Sequence, residues 1–318
     1  MSDVVLEVDG TSKRFRGRLA VDRVTLAVRR GDLFGLLGHN GAGKSTLIGM
    51  MLGQVWPTAG VVRIHGHDVA RDRRRALARV GAIFESPAFY EELSGWRNLE
   101  ILSAYTARTP AARIREVLDW VGLSGRERSA VRTYSHGMRA RLALGQALLP
   151  APELLILDEP GDGLDPEGIH ELRETLLRLR RELGLTLLLS SHLLAEVEQL
   201  CNRILVLHQG RKVFDGTIEE TRRHGRWLGV RTDDFEAAAA ELATAGLVTG
   251  TRDGRWVMLS EGVGAESVVR RLVERGRPVY EAVPDHTSLE AFYLELMHRE
   301  APSGAGAVSE TRGSEAPC

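Results

Sequence analysis

Cysteine is almost absent from this chain: of 318 residues only Cys201 and the last residue, Cys318, carry a thiol. Two thiols so placed build neither a disulfide framework nor a metal cluster, which fits a reducing compartment. Lysine is confined to Lys13, Lys44 and Lys212, and arginine supplies the rest of the positive charge. No apolar run reaches the roughly 20 residues needed to cross a bilayer, so any work at a membrane needs a span from another polypeptide. The start, Met1-Ser2-Asp3-Val4, lacks a basic segment followed by an apolar run, so no signal peptide is expected. A net charge of −1 gives no general electrostatic attraction to nucleic acid.

What is present is an ordinary globular composition, 43% hydrophobic and 27% charged, on a chain long enough for two domains. Residues 4–8 and 24–28 alternate like strands, and the apolar run 33–37 reads as a buried strand feeding a loop. Helical spacing follows at 45–52, a strand at 60–64, and a turn at 65–68. His65 and His67 in that turn lack partners at ligand spacing, so the turn is the better reading. Residues 99–148 are mainly helical. Two fully apolar strands, 154–157 and 185–189, flank a helix at 169–183, the pattern of a parallel sheet covered on both faces. Polar residues at 216–226 read as a linker. Beyond it a small α+β unit is expected at 226–298, closed by a helix at 288–298. The Ala-, Gly-, Ser- and Glu-rich stretch 301–318 reads as a disordered tail.

Three motifs carry chemistry. Gly38-His39-Asn40-Gly41-Ala42-Gly43-Lys44-Ser45 follows an expected strand and opens an expected helix, continuing into Thr46. Its glycines let the backbone curl so that N–H groups and the helix N-terminus face phosphate oxygens. Lys44 would then reach the β- and γ-phosphates of ATP, and the Ser45 hydroxyl would bind Mg²⁺. The strand at 154–157 ends in Asp158-Glu159, one carboxylate for the metal and one to orient and deprotonate a water. Ser190-Ser191-His192 ends the strand at 185–189, where open α/β sheets bind ligands, so His192 could contact the γ-phosphate.

Loop, acidic strand and histidine, with Tyr134-Ser135-His136-Gly137-Met138 and Gly163-Leu164-Asp165 between and after them, resemble the ATP-binding cassette of ABC transporters over about residues 4–220. That resemblance implies a P-loop NTPase α/β fold, with a mixed sheet and a helical subdomain at about 88–150. The family's signature Leu-Ser-Gly-Gly-Gln is met only in part, through Ser135 and Gly137. In the family this segment touches the γ-phosphate held by the opposing subunit, and the Asp165 loop is where the two subunits communicate. Lys13-Arg14-Phe15 resembles the adenine-stacking segment, which makes Phe15 the expected platform.

One position departs. After the expected strand at 80–84 the family usually has glutamine, a contact to Mg²⁺ and water that also senses the membrane domain; here it is Glu85, and a carboxylate binds Mg²⁺ more strongly than an amide. Glu85, the stretch Leu93-Ser94-Gly95-Trp96-Arg97-Asn98-Leu99 and the small C-terminal unit resemble cassettes of antibiotic, bacitracin and lantibiotic self-protection exporters. The resemblance implies an ATPase working as a pair with a second cassette, and a transmembrane permease meeting residues 85–99. It also implies peripheral attachment to the cytoplasmic face of a bacterial plasma membrane, without nucleic acid. The alternative is a soluble cassette acting on DNA or the ribosome. Such proteins insert a long coiled coil or carry two cassettes in one chain, whereas about ninety residues without heptads separate loop from signature here, in a single cassette.

Overall fold

The computed structural model describes residues 3–84, 88–105, 109–224, 227–284 and 288–300, with backbone only at 223, 224, 299 and 300. Glu85 and the tail 301–318 lie outside the described residues. Strands β1 (Val4–Phe15) and β2 (Arg18–Arg29) form a hairpin longer than the sequence pattern suggests. Its two turn residues, Arg16 and Gly17, both have positive φ, 39° and 94°, as a tight turn between right-twisted strands requires. β3 (Leu33–Leu37) runs through the loop into α1 (Lys44–Met51). β4 (Ala59–Ile64), β5 (His67–Asp68), the short α2 (Arg73–Ala76) and β6 (Val80–Ile83) follow. The helices α3 (Gly95–Ser103), α4 (Ala111–Trp120) and α5 (His136–Leu148) separate β6 from β7 (Leu154–Leu157). Next come α6 (Pro166–Leu183), β8 (Thr186–Ser191), α7 (Leu194–Leu200), β9 (Arg203–His208), β10 (Arg211–Thr217) and α8 (Ile218–His224).

These strands make two sheets. β2-β1-β4-β5 is antiparallel, and β10-β9-β3-β8-β7-β6 is parallel except for its edge strand β10. The parallel strands are apolar through their middles, as strands covered on both faces are, with polar residues only at the ends of β8 (Thr186, Ser190, Ser191) and β9 (Arg203, His208). Alternate residues explain how: Leu155, Leu157, Leu187 and Leu189 join the core under α5, α6 and α7, while Leu154, Ile156 and Leu188 join the core shared with α1 and the first sheet. All parallel strands end on one side, and the loops after β3, β7 and β8 therefore meet there.

The remaining elements are β11 (Trp227–Arg231), α9 (Phe235–Thr244), β12 (Val248–Arg252), β13 (Trp256–Leu259), α10 (Ala265–Glu274), β14 (Glu281–Pro284) and α11 (Leu289–Glu300). The order β-α-β-β-α-β with an antiparallel sheet β12-β13-β11-β14 is the split-βαβ arrangement. Its own core joins Leu228, Val230 and Val257 of the sheet to Leu242, Val268 and Leu272 of α9 and α10.

Two expectations fail here. The stretch 216–226 is not a plain linker, since α8 occupies most of it, with Ile218 and Thr221 buried. Polar Glu219, Glu220 and Arg222 conceal this helix in a composition-based reading, because only its inward edge is apolar. Nor does the last helix close the small unit. Leu289 and Phe292 of α11 are 1% and 3% exposed within the core of the main unit, and Phe292 meets Phe214 of β10 edge-on, ring centroids 4.8 Å apart. Phe292→Ala is therefore expected to cost the main unit about 3–5 kcal/mol. Calorimetry should show the main transition lowered; a loss confined to the small unit would return α11 to that domain.

Candidate functional site

The loop after β3 owes its shape to glycine in places where a side chain cannot fit. A Cβ on Gly38 would lie 2.6 Å from the Leu207 carbonyl oxygen, and one on Gly43, at φ 108°, 2.6 Å from that of Ala20. The loop is also fastened from outside: the Gly210 N–H donates to the Ala42 oxygen at 2.9 Å, and the Asp22 N–H to the Gly210 oxygen at 2.8 Å. Gly43 begins α1 without any side-chain cap, so the first-turn N–H groups remain available to an anion.

Lys44 is a buried charge of the site, its side chain 5% exposed. Its Nζ donates to the Gly38 oxygen at 2.7 Å and the His39 oxygen at 3.5 Å, and stands 3.1 Å from Glu159 Oε1. The other Glu159 oxygen lies 2.7 Å from His192 Nδ1. Glu159 itself sits at φ 45°, a left-handed conformation that turns its side chain out of the end of β7. Ser190 supports both acids: its hydroxyl donates to Asp158 Oδ1 at 2.5 Å and accepts from the Glu159 N–H at 2.9 Å. The Asp158 N–H in turn donates to the Ile83 oxygen at 2.8 Å.

A cleft of about 940 Å³ gathers Phe15, His39, Asn40, Gly41, Gly43, Lys44, Ser45, Thr46, Glu159 and His192. Arg18, Leu19, Ala20, Asp162, Gln209 and Gly210 complete its walls, and none of these was expected from the sequence. Phe15 is 46% exposed, with Lys13 Nζ 4.8 Å from its ring centroid. Gly38 and Ala42 shape the loop from behind. A second cleft of about 650 Å³ is lined by Asp158 and His136, with Ser45, Glu159 and Asp162 shared between the two. The oxygens of Ser45 and Asp158 are hard donors that suit Mg²⁺, an ion that completes its sphere with waters and phosphate oxygens.

The remaining expected residues stand apart. Ser135 caps α5, its hydroxyl accepting from the Met138 N–H at 3.2 Å, and nothing lies within 4 Å of where a Gly137 Cβ would be. Asp165 caps α6 by accepting from the Gly168 N–H at 2.8 Å. None of the three lines either cleft. His136 bridges the two segments, its Nε2 3.3 Å from the Asp162 oxygen. Of the expected permease contact, residues 88–99 are described: Ser94 caps α3, and buried Asn98 clasps Tyr90 through both its backbone N–H and oxygen.

The ABC transporter family matches residues 21–162. The bacitracin transport ATP-binding protein BcrA of Enterococcus faecalis is 35% identical over 93% of this chain and 97% of its own length. The chain belongs to the ABC transporter ATP-binding proteins. The daunorubicin resistance ATP-binding protein DrrA3 of Streptomyces coeruleorubidus is 36% identical over 93% of this chain and 96% of its own. Among solved structures, one described as the ATP-binding subunit of an ABC transporter shares 34% identity and a TM-score of 0.62, covering 69% of this chain and 92% of that one. The protein is thus an ATP-binding cassette and an ATPase.

Within the cassette, Ser190 is the residue whose position says most about how Asp158 and Glu159 are held. Ser190→Ala should lower kcat for ATP at least tenfold while leaving ATP affinity within about threefold, as loss of a supporting hydrogen bond does. Steady-state kinetics and a nucleotide titration check both numbers, and an unchanged kcat would remove that role.

Proposed function

We propose that this cassette is the motor of an exporter for an antibiotic, peptide or other amphiphile, working as a pair and driving a separate transmembrane subunit. The observation that carries the reading is the incompleteness of the phosphate site. Lys44, Glu159 and His192 surround one side of the cleft, whereas Ser135 and Gly137 at the start of α5 line neither cleft of their own chain, although His136 between them lines the second. A second cassette facing the first head to tail would bring Ser135, Gly137 and Asp165 to the bound ATP.

The chain's own groups then divide the work. Phosphate oxygens entering the loop replace Glu159 as the partner of Lys44, since an ammonium held by carbonyls still seeks one anion. Glu159, released but still oriented by His192, takes a proton from water as that water attacks the γ-phosphorus. The bond to the bridging oxygen breaks, and ADP and phosphate leave. Mg²⁺ held through Ser45 and Asp158 would neutralise the phosphate charge during this step. Phe15 would stack on the adenine. Glu85 would be a further metal-linked residue that couples to the permease, whose contact we assign to residues 85–99.

Among the described residues no helix is long and apolar enough to cross a membrane, which is why a separate subunit is invoked. The cargo class rests on BcrA and DrrA3, which are described as a bacitracin transport and a daunorubicin resistance ATP-binding protein. Attachment to the inner face of the plasma membrane follows from the same assignment.

Glu159→Gln keeps the shape of the side chain but not its basicity. It should cut turnover by about a hundredfold or more and accumulate an ATP-bound dimer visible by light scattering. Turnover equal to the parent's would sink the assignment. Turnover per cassette should also rise with protein concentration, and a rate independent of it would argue against the shared site.

A further inference from the structure

The chain between β7 and α6 is soft where it carries Glu159. It runs Glu159-Pro160-Gly161-Asp162-Gly163-Leu164-Asp165, with left-handed backbone at Glu159 and Gly163, φ 45° and 72°. Its internal ties are local: the Asp162 N–H donates to the Glu159 oxygen at 3.0 Å and the Leu164 N–H to the Gly161 oxygen at 3.2 Å. Two glycines in so short a stretch leave many other conformations open, so its geometry has to be set by contacts from outside. Ser190 supplies one at the Glu159 N–H, at 2.9 Å. The Asp162 oxygen finds another at the second cleft, in the imidazole of His136, with Nε2 3.3 Å away.

His136 is the first residue of α5 and stands between Ser135 and Gly137, where the signature Leu-Ser-Gly-Gly-Gln has a glycine instead. A carbonyl oxygen only accepts, so Nε2 carries the proton and donates. The ring lies close over the loop: a Cβ on Gly163 would come 3.0 Å from Nε2 and 3.5 Å from Cε1. The base from which the ring projects is firm. The Tyr134 hydroxyl donates to the Arg126 oxygen at 2.8 Å, Ser135 caps the helix, and Arg139 pairs with both oxygens of Glu91. His136 shares the second cleft with Ser45, Asp158, Glu159 and Asp162, so its hydrogen bond acts beside Glu159. We propose that His136 is a positioning residue for hydrolysis, which fixes, through the Asp162 carbonyl, the turn that aims Glu159. The Asp162 N–H closes that turn onto the Glu159 oxygen, so a shift at one end displaces the other.

The role of His136 rests on Glu159 being the group that activates water, and the two can fail separately. His136 is exposed, so removing its ring leaves the core intact. His136→Ala and His136→Gln are compared with the parent in the full chain, beside Glu159→Gln and Glu171→Gln. Glu171 Oε2 of α6 lies 3.7 Å from Arg141 Nη2 of α5, so its variant loosens the contact of α5 with α6 without touching the His136 hydrogen bond. We expect His136→Ala to lower kcat for ATP about threefold to tenfold, the scale of one hydrogen bond, with the Kd of a fluorescent ATP analogue within about twofold. His136→Gln, whose amide can offer an N–H in place of Nε2, should recover kcat to within about twofold of the parent, and Glu171→Gln should stay there too. An unchanged kcat in His136→Ala would overturn the proposal. So would a rise in Kd matching the loss of kcat, which would put the imidazole on the nucleotide itself. A glutamine variant as slow as the alanine one, or an equal loss in Glu171→Gln, would overturn it by assigning the effect to packing. Those results leave Glu159 standing; if Glu159→Gln turns over like the parent, the reading of Glu159 fails and the role of His136 goes with it.

Discussion

One ammonium group, that of Lys44, organises the nucleotide-binding half of the molecule. Its side chain is 5% exposed and its Nζ faces two backbone oxygens and one carboxylate. A buried cation needs a compensating anion, because a lone charge out of water costs several kcal/mol. In this structure Glu159 fills that need at 3.1 Å. In the proposed mechanism triphosphate oxygens take the place of Glu159 on Lys44, an exchange of partners that the same requirement favours. The neighbouring geometry serves this exchange: glycines where a Cβ would strike a carbonyl, a left-handed residue at the end of β7, and a serine between two acids.

Topology brings these groups within reach of one another. β3, β7 and β8 are parallel neighbours, so the loops that follow them emerge on the same side although Lys44, Glu159 and His192 are far apart in sequence. Each strand divides its side chains between two cores, which fixes its position between layers and therefore the direction of the loop beyond it. The hairpin β1–β2 contributes Phe15 from the other sheet, and the β9–β10 turn clamps the loop through Gly210.

Much of this was legible in the sequence, for identifiable reasons. A phosphate loop must contain glycine, lysine and serine at fixed spacing, and an acidic pair must end an apolar strand, so local residues carry the chemistry. Parallel strands buried on both faces are likewise visible as uninterrupted Leu and Ile. Contacts between distant segments were not legible. Nothing local marks Ser190 as the hydroxyl between Asp158 and Glu159, or Gly210 as a brace for Ala42. α8 was missed because its outward residues are charged, and α11 was given to the wrong unit because sequence adjacency suggested the domain it follows. Its owner is set by Phe214, and by Glu198 accepting from the Leu289 N–H, far upstream.

The path of the chain around the small domain has a practical side. α8 and α11 pack against each other on the cassette, so the split-βαβ unit hangs from two neighbouring points, as a long loop would. Everything between those helices could be lengthened, exchanged for another fold, or bridged by a few glycines and serines without moving the cassette. In architectural terms the unit is a socketed attachment, and what must be preserved during such surgery is the pair of helices forming the socket.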